Sequence, residues 1–462
     1  MRVPFESTAG RVAAMCGGRL VQGGADTRIS CVSTDSRDPG SGGLFVPLRG
    51  ERFDGHEYIG ALARDHAVNA FMTMRDGDDE TARIHGCACI RCEDTLAALG
   101  RLAASHRAAL SPVVAGITGT NGKTTTKEML WALLDENESC LKNEKNYNNE
   151  IGVPCTLLGL APRHRHAVIE LGMNHAGEID RLARIVRPDV ALITNVGEGH
   201  LEFLGSVEGV AQAKAEIMNG MRPGAKIFIN ADSAYADTLR ARAVERELRP
   251  VSFGLAAGAD IRPDSYSLST GEIRLTLDGE EYAAPVYGIH NVYNALGALA
   301  VARELGVTSA RMKAALAGVR NVDMRGQVVQ REYTVVNDTY NSNPLSSRSA
   351  LASIKEIFPG ARKVAVLSDM KELGDQAPRY HRETGKAVAD NGFALLCTWG
   401  ELARHIAEGA RAAGMGNGAV HHFETKDDLA AFLAENVRGG DVVLVKGSRS
   451  MKMEEIAERL LR

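Results

Sequence analysis

The feature that most constrains this 462-residue chain is a glycine- and threonine-rich segment between an apolar strand and a helix. The strand is predicted over 113–117, and the segment runs over 116–126 as Gly-Ile-Thr-Gly-Thr-Asn-Gly-Lys-Thr-Thr-Thr. In this setting, backbone N–H groups and a helix N-terminus hold phosphate groups. Lys123 would offset charge on the β- and γ-phosphates, and the Thr124 hydroxyl would coordinate Mg²⁺. Five residues separate the first and last glycines, where the Walker A pattern has four. The alternative is a glycine-rich turn that caps an ordinary helix.

Strand and helix patterns alternate from this segment to the C-terminus, which favours parallel sheets covered on both faces. An N-terminal unit is predicted to have a short helical start and two strands, over 29–33 and 44–48. A helix is predicted over 94–109, antiparallel strands over 270–287, and another helix over 291–305. The remaining predicted strands are 167–171, 190–194, 226–229, 334–337, 363–367, 394–397 and 442–445. We expect an α/β protein with three units, bounded at 1–90, 91–320 and 321–462.

Composition and charge exclude several classes of function. Hydrophobic residues make up 44% and charged residues 24%, so burial of a core is expected and wholesale disorder is not. The net charge is −4 without a basic run, which argues against nucleic acid or an anionic membrane as the main partner. No apolar run of about 18 residues occurs, and the first residues lack the features of a secretory signal. We therefore expect a cytoplasmic protein without a membrane span.

The eight cysteines are scattered except for Cys87, Cys89 and Cys92. This Cys-x-Cys-x-x-Cys spacing lacks the paired pattern of a structural zinc site, and a fourth ligand would have to come from elsewhere. Reduced thiols in a cytosolic fold are the expected state, with a metal site as the alternative.

The segment 118–126 resembles the ATP-binding loop of the Mur ligases and of their relative, folylpolyglutamate synthase. The resemblance extends over nearly the whole chain. It implies a small α/β UDP-binding domain, a central P-loop-type ATPase domain with a parallel sheet, and a C-terminal Rossmann-like doubly wound domain. ATP is the implied cofactor, and the residues implied to contact it are Gly119, Thr120, Asn121, Gly122, Lys123, Thr124, Thr125, Asn291, Arg325 and Asp338.

The resemblance also implies a Mg²⁺ site. A carboxylate at the carboxyl end of a parallel strand faces the crevice where such folds bind nucleotide, and Glu170 has that position. His200 matches a histidine that meets a metal in the family. Lys214 matches a lysine that Mur ligases carry as a carbamate, an anionic oxygen ligand suited to Mg²⁺. Without the family, Lys214 would be a helix-surface lysine. The implied metal ligands are Thr124, Glu170, His200 and Lys214, and the implied catalytic residues are Lys123, Glu170, His200 and Lys214.

Three further stretches, 172–179, 368–374 and 446–450, resemble the Mur ligases that add D-alanyl-D-alanine. The implied reaction joins this dipeptide to a UDP-linked muramoyl tripeptide through an acyl phosphate. The partners are therefore small molecules, and the chain is expected to act as a monomer. The implied substrate-binding residues are Ser36, Arg37, Asn148, Asn149, Lys446, Ser448 and Arg449. The alternatives are another amino-acid-adding Mur ligase, and a nucleotide switch that uses ATP without making an amide.

Overall fold

The computed structural model describes residues 1–320 and 322–462, and it contains four sheets. The predicted start of the third unit at Asn321 lies outside the described residues. The elements up to the central sheet are β1 (Arg2–Thr8), α1 (Ala9–Cys16), β2 (Arg19–Gln22), β3 (Arg28–Ser33), β4 (Gly43–Phe45), α2 (Ile59–Arg64), β5 (Val68–Thr73), α3 (Asp78–His85), β6 (Ala88–Arg91) and α4 (Thr95–Leu110). The first sheet has the order β1-β3-β4-β5-β6-β2, with the two edge strands antiparallel to their neighbours. We call this sheet and its helices the N-terminal unit.

The predicted helical start of the chain is wrong for residues 2–8, which form β1. Val3 and Phe5 are buried while their neighbours are exposed, which is the period-2 pattern of a half-buried strand. The helix begins only at Ala9, after the Thr8 hydroxyl accepts a hydrogen bond from the N–H of Arg11. The predicted strand over 29–33 is confirmed by β3, and the predicted helix over 94–109 by α4. The predicted boundary after residue 90 falls one residue before the end of β6.

The central unit is built on a wholly parallel sheet. Its elements are β7 (Val113–Thr118), α5 (Lys123–Leu134), β8 (Cys140–Lys142), α6 (Gly152–Leu158), β9 (His166–Glu170), α7 (Glu178–Val186), β10 (Val190–Ile193), α8 (Leu201–Leu204), α9 (Val207–Ala215), β11 (Lys226–Asn230), α10 (Ala236–Glu245) and β12 (Arg249–Phe253). The order is β12-β11-β10-β7-β9-β8. Since β7 lies between β9 and β10, its loop opens where the strand order reverses, and ligands bind at such crevices in parallel sheets.

A small antiparallel sheet and two helices follow; the antiparallel strands and the first helix were predicted, whereas the second helix and the first strand were not. They are β13 (Ser265–Leu268), β14 (Ile273–Leu277), β15 (Glu280–Ala284), α11 (Ile289–Glu304) and α12 (Ser309–Ala317). Helix α11 packs on α5, the helix that follows the glycine-rich loop. Its apolar residues share one core cluster with residues of β7 and α5.

The C-terminal unit is a second doubly wound sheet of order β16-β17-β21-β18-β19-β20. Its elements are β16 (Gln327–Gln330), β17 (Thr334–Asp338), α13 (Pro344–Ile357), β18 (Lys363–Ser368), α14 (Ala377–Asp390), β19 (Leu395–Trp399), α15 (Arg404–Ala412), β20 (Val420–Phe423), α16 (Lys426–Asn436), β21 (Val442–Lys446) and α17 (Glu454–Leu461). Only β16 is antiparallel to its neighbour. Strands β18 and β21 are buried along their whole length, which explains their uninterrupted apolar sequences. The four strands predicted here are confirmed.

Across residues 1–320 and 322–462, none of the helices has both the length and the apolar character needed to cross a bilayer.

Candidate active site

The loop after β7 makes two close approaches that require glycine. Gly119 and Gly122 have φ values of 154° and 82°. A Cβ on Gly119 would lie 1.8 Å from the Thr194 hydroxyl oxygen, and a Cβ on Gly122 would lie 2.2 Å from the Asn294 amide oxygen. The first neighbour follows β10 and the second lies on α11. The loop is therefore held between the parallel sheet and the helix that packs on α5.

Lys123 is the first residue of α5, and its ammonium group turns back over the loop. Its Nζ donates to the carbonyls of Gly119, at 2.8 Å, and Thr120, at 3.2 Å. Burial lowers the pKa of Lys123, while the charge of Glu170 opposes that shift. The next residue, Thr124, has a buried hydroxyl that accepts a hydrogen bond of 3.1 Å from the guanidinium of Arg325. The C-terminal unit thus reaches the start of α5 directly.

Glu170 ends β9 and is held from two sides. Asn143 is fully buried; its amide oxygen accepts from the N–H of Glu170 at 2.9 Å, and its Nδ2 donates to the Glu170 carbonyl at 2.9 Å. Asn148 donates from Nδ2 to Glu170 Oε1 at 2.7 Å. The other carboxylate oxygen, Oε2, is buried without a hydrogen-bond partner in the described part of the chain. An anionic oxygen is therefore available at the end of the strand.

Lys214, on α9, is only 2% exposed and so is not the surface lysine that sequence statistics favour. Burial, reinforced by the charge of Lys123, holds the pKa of Lys214 well below its ordinary value. A neutral amine is the form that this environment favours.

His200 caps α8 with a left-handed backbone, at φ 56°. Its Nδ1 lies 2.7 Å from a carboxylate oxygen of Glu372 in the C-terminal unit. The close approach of His200 lowers the pKa of Glu372. A metal contact by His200 would therefore have to use Nε2.

A cavity of about 610 Å³ lies between the central and C-terminal units and reaches the loop. Arg325 and Asp338, which were predicted to contact ATP, both line it. The Arg325 guanidinium stacks 3.8 Å from the centre of the Tyr340 ring. Lys446, a predicted substrate-binding residue, lies in the wall of this same cavity and is 2% exposed. It donates to Asp338 at 2.6 Å and to the Asn341 carbonyl at 2.9 Å.

Asn291 does not line the cavity. It is buried on α11, where its Nδ2 donates to the Tyr287 carbonyl at 2.8 Å and its Oδ1 accepts from Asn294 Nδ2 at 2.8 Å. Asn294, His290 and Tyr293, from the same helix, line the cavity instead. A direct contact of Asn291 with the nucleotide is therefore not favoured by this packing.

The other predicted substrate residues do not gather at one place. Asn149 accepts from the N–H groups of Ile151 and Gly152 at the start of α6, a capping role. Ser448 is buried, and its hydroxyl accepts from the N–H of Lys371 at 2.9 Å.

Two predicted substrate arginines are exposed and paired. Arg37 makes a two-point contact with Asp35, at 2.9 and 2.8 Å, while Arg449 pairs with Glu454 at 2.7 Å. Ser36, beside Arg37, is half-buried.

Several residues that shape the site were not found from the sequence. Lys127, on α5, is completely buried and donates to the Asn143 carbonyl at 2.6 Å, so it supports the residue that holds Glu170. Arg348, on α13, donates to both carboxylate oxygens of Glu198, at 2.8 and 2.9 Å, across the two units. The available signal for Lys127 was its position one turn after Lys123 on the same helix face. The pair formed by Arg348 and Glu198 has no such local signal.

Comparison with known proteins decides the family. The pattern described as the Mur ligase middle domain matches residues 117–302, the Mur ligase glutamate ligase domain matches 324–449, and the Mur ligase family catalytic domain matches 28–107. The chain is 36% identical to the UDP-N-acetylmuramoyl-tripeptide–D-alanyl-D-alanine ligase of Bacillus subtilis over 94% of each chain. The chain belongs to the Mur ligase family. The corresponding enzyme of Escherichia coli is 35% identical, over 95% of each chain.

Solved structures of Mur ligases agree with this assignment. The crystal structure of MurF from Acinetobacter baumannii matches with a TM-score of 0.90 at 30% identity, over the whole of both chains. The MurF ligase of Thermotoga maritima, solved with ADP, matches with a TM-score of 0.80 at 28% identity, over 93% of this chain and 96% of that one. The three-domain α/β architecture expected from the Mur ligase resemblance is confirmed.

Proposed function

We propose that this chain is an ATP-dependent ligase that joins D-alanyl-D-alanine to UDP-N-acetylmuramoyl-tripeptide. The observation that carries the proposal is the cavity between the central and C-terminal units, which joins the glycine-rich loop to Arg325, Asp338 and Lys446. The relatives named above, which are matched along nearly their full length, support the choice of substrates. Single amino acids as acceptors, or ATP use without amide synthesis, would correspond to the two alternative functions.

The reaction needs no side-chain nucleophile. ATP phosphorylates the terminal carboxylate of the tripeptide, and ADP leaves. The free amine of D-alanyl-D-alanine then attacks the acyl phosphate, a tetrahedral intermediate forms, and inorganic phosphate departs as the amide forms. The protein must position two anions and offset their charge. Lys123 at the start of α5 and Arg325, from the C-terminal unit, are the cations beside the loop that would serve this purpose. Asp338 would accept the ribose hydroxyls.

The residues near the loop fit a Mg²⁺ ion. Glu170 Oε2 is a buried anionic oxygen without a partner in the described part of the chain, and hard cations prefer such ligands. Thr124, His200 and Lys214 would complete the set. The described residues contain no group of three or more His, Cys, Asp and Glu side chains able to hold a metal. When bound, Mg²⁺ would neutralise charge on the phosphates.

Carbamylation of Lys214 is part of the proposal. The neutral amine would add to CO₂, forming an N–C bond and releasing one proton, and the product would carry a negative charge on two oxygens. The burial of Lys214, which favours the neutral amine by lowering its pKa, supports this assignment. An ammonium at this place would repel a cation, whereas a carbamate would bind one.

We further propose that the protein acts as a monomer in the cytoplasm, where ATP and UDP-linked precursors are available. The N-terminal unit would bind the UDP end of the acceptor, with Ser36 and Arg37 as candidate contacts. Light scattering of the purified protein would test the oligomeric state.

A coupled assay of phosphate release tests the proposed function. The purified chain is given ATP, Mg²⁺, D-alanyl-D-alanine and UDP-muramoyl tripeptides that carry either diaminopimelate or lysine at the third position. Phosphate release should require both the tripeptide and the dipeptide, and mass spectrometry should find the pentapeptide. Release with single amino acids would indicate another amino-acid-adding Mur ligase. Release without an acceptor would indicate a nucleotide switch.

A further inference from the structure

Two asparagine side chains join the glycine-rich loop to the C-terminal unit. Asn121 Nδ2 donates to Asn343 Oδ1 at 3.1 Å, and Asn343 Nδ2 donates to Asn121 Oδ1 at 2.8 Å. The two residues are 222 positions apart in the sequence and belong to the central unit and the C-terminal unit, respectively. This reciprocal pair therefore forms only when the two units are in the arrangement seen here.

The orientation of the Asn343 amide is determined by the helix that it caps. Asn343 precedes α13, and its Oδ1 accepts from the N–H of Ser346 at 2.8 Å, while the Ser346 hydroxyl accepts from the Asn343 N–H at 3.1 Å. Only the amide oxygen can accept the hydrogen bond from Ser346. The amide nitrogen must then face Asn121, so the donor and acceptor roles in the pair follow from the hydrogen-bond network.

The main chain of Asn121 is held by the residues that follow β10. Its N–H donates to the Asn195 Oδ1 at 2.9 Å. Its carbonyl accepts from the Thr194 hydroxyl at 2.6 Å and from Asn195 Nδ2 at 3.1 Å. The side chain of Asn121 is therefore free to contact the C-terminal unit, while its main chain is bonded to the central unit. Any movement of α13 is therefore transmitted to a loop residue whose backbone is already tied to the central sheet.

Two neighbouring contacts keep α13 in place. The Cβ of an alanine at Gly197 would lie 2.5 Å from a methyl carbon of Leu345, so the first turn of α13 packs closely on the segment after β10. The ion pair between Arg348 and Glu198 lies one turn further along the helix. The asparagine pair is thus the part of a larger contact that touches the glycine-rich loop itself.

We infer that Asn121 and Asn343 form an amide latch that couples closure of the C-terminal unit to the conformation of the glycine-rich loop. Both are positioning residues for the loop, because their side-chain amides are used on each other. The inference rests on the proposed use of the loop for ATP. Its consequence is that ATP binding and closure stabilise one another, by the reciprocity of linked equilibria.

The test is a double-mutant cycle on ATP affinity, measured by calorimetry without either peptide substrate. Asn343→Ser retains a good helix cap but cannot reach Asn121, and Asn121→Ala removes the other half of the pair. We expect each variant to bind ATP about tenfold more weakly, as the loss of two neutral hydrogen bonds would give. The double variant should bind ATP no more weakly than either single variant. The two residues would then be coupled by a factor of ten, which corresponds to about 1.4 kcal/mol.

Amide hydrogen exchange without nucleotide gives an independent readout. Asn121→Ala leaves the cap of α13 intact, yet it should speed exchange at the N–H groups of Ser346 and Ser347 across the interface. Asn391→Ser, in the same unit but distant from the cavity, serves as the matched control and should leave both ATP affinity and this exchange unchanged. Thermal unfolding should give similar midpoints for all variants.

If the two substitutions act independently, the double variant will bind ATP about a hundredfold more weakly than the wild type, and that result would overturn the latch. Unchanged amide exchange at the start of α13 in Asn121→Ala would also overturn it. If Asn343→Ser fails to fold, the exchange measurement on Asn121→Ala still decides the question. Neither measurement requires amide synthesis. A wild-type protein that makes no amide would therefore refute the proposed function and leave the latch to be judged on its own results.

Discussion

Replacement of Asn143 by alanine should weaken the central unit far more than the loss of one surface hydrogen bond. The fully buried side chain of Asn143 makes three hydrogen bonds, two to the main chain of Glu170 and one to the Tyr147 carbonyl at 3.0 Å. Alanine would leave these three main-chain groups without partners. Each unsatisfied buried group costs about 1–3 kcal/mol, so the expected loss is at least about 3 kcal/mol. Typical domains have only about 5–15 kcal/mol of total stability.

The two tryptophans of the chain make this loss measurable in the central unit alone. Trp131 lies on α5 and donates to the Cys140 carbonyl at 2.9 Å, while Trp399 ends β19 in the C-terminal unit. In a Trp399→Phe background, fluorescence during urea unfolding reports the central unit. This restriction matters because a multidomain chain need not unfold in a single two-state transition.

Asn391→Ala provides the matched control, since Asn391 makes a single side-chain hydrogen bond, to the Ala387 carbonyl at 2.7 Å. In the same fluorescence assay it should leave the central transition nearly unchanged. In Asn143→Ala, the midpoint should fall, and the Mg²⁺ requirement of the remaining activity should rise because Glu170 is released. Equal unfolding midpoints for the two variants would refute the reasoning that Asn143 organises this site.

Three further substitutions test the candidate active site, and a fourth prediction concerns the pH dependence of the stability of the C-terminal unit. Lys123→Ala should lose about 10²-fold or more in turnover while remaining folded, since one preorganised cation is removed. Glu170→Ala should raise the Mg²⁺ requirement more than the D-alanyl-D-alanine requirement. Lys214→Ala should be nearly inactive, and small added carboxylates should restore part of its activity. His381 is buried with its pKa lowered from about 6.5, and its Nε2 accepts from the Met370 N–H at 3.0 Å. Below that ordinary value the unfolded chain binds a proton that the folded chain does not. The free energy of unfolding should therefore decrease as the pH is lowered, by up to about 1.4 kcal/mol per pH unit.

Each of these predictions has a control and an outcome that contradicts it. Lys226→Ala, a half-exposed lysine of the central unit, should leave turnover unchanged and is compared with both lysine variants. Normal turnover of Lys123→Ala or Lys214→Ala would remove that residue from the proposed mechanism, and an unchanged Mg²⁺ titration would do so for Glu170. Replacement of His381 by Gln should reduce the pH slope of the unfolding free energy by one proton. An identical slope would assign the pH dependence to other buried histidines.

The glycine-rich loop and the parallel strands could be predicted from the sequence because their causes are local. Gly119 and Gly122 supply backbone conformations that other residues adopt at a cost, and they lie between a strand and a helix whose apolar patterns are clear. Strands buried on both faces have uninterrupted apolar sequences, so β7, β10 and β21 could be recognised one at a time. β1 was missed because its period-2 pattern is only seven residues long and runs directly into α1.

The tertiary structure alone decided which side chains meet. Lys214 looks like a surface lysine until α9 packs among the neighbouring helices α7, α8 and α10 and the side chain is buried. Asn143 acquires its role only because β8 and β9 lie side by side, and Lys446 faces Asp338 only because β17 and β21 are neighbours. The contacts of Asn343 with Asn121 span more than two hundred positions, so no local pattern encodes them. The sequence determines the chemistry and the local conformation of each residue. The partners of that residue depend on long-range packing, because they lie on elements that are distant in the sequence.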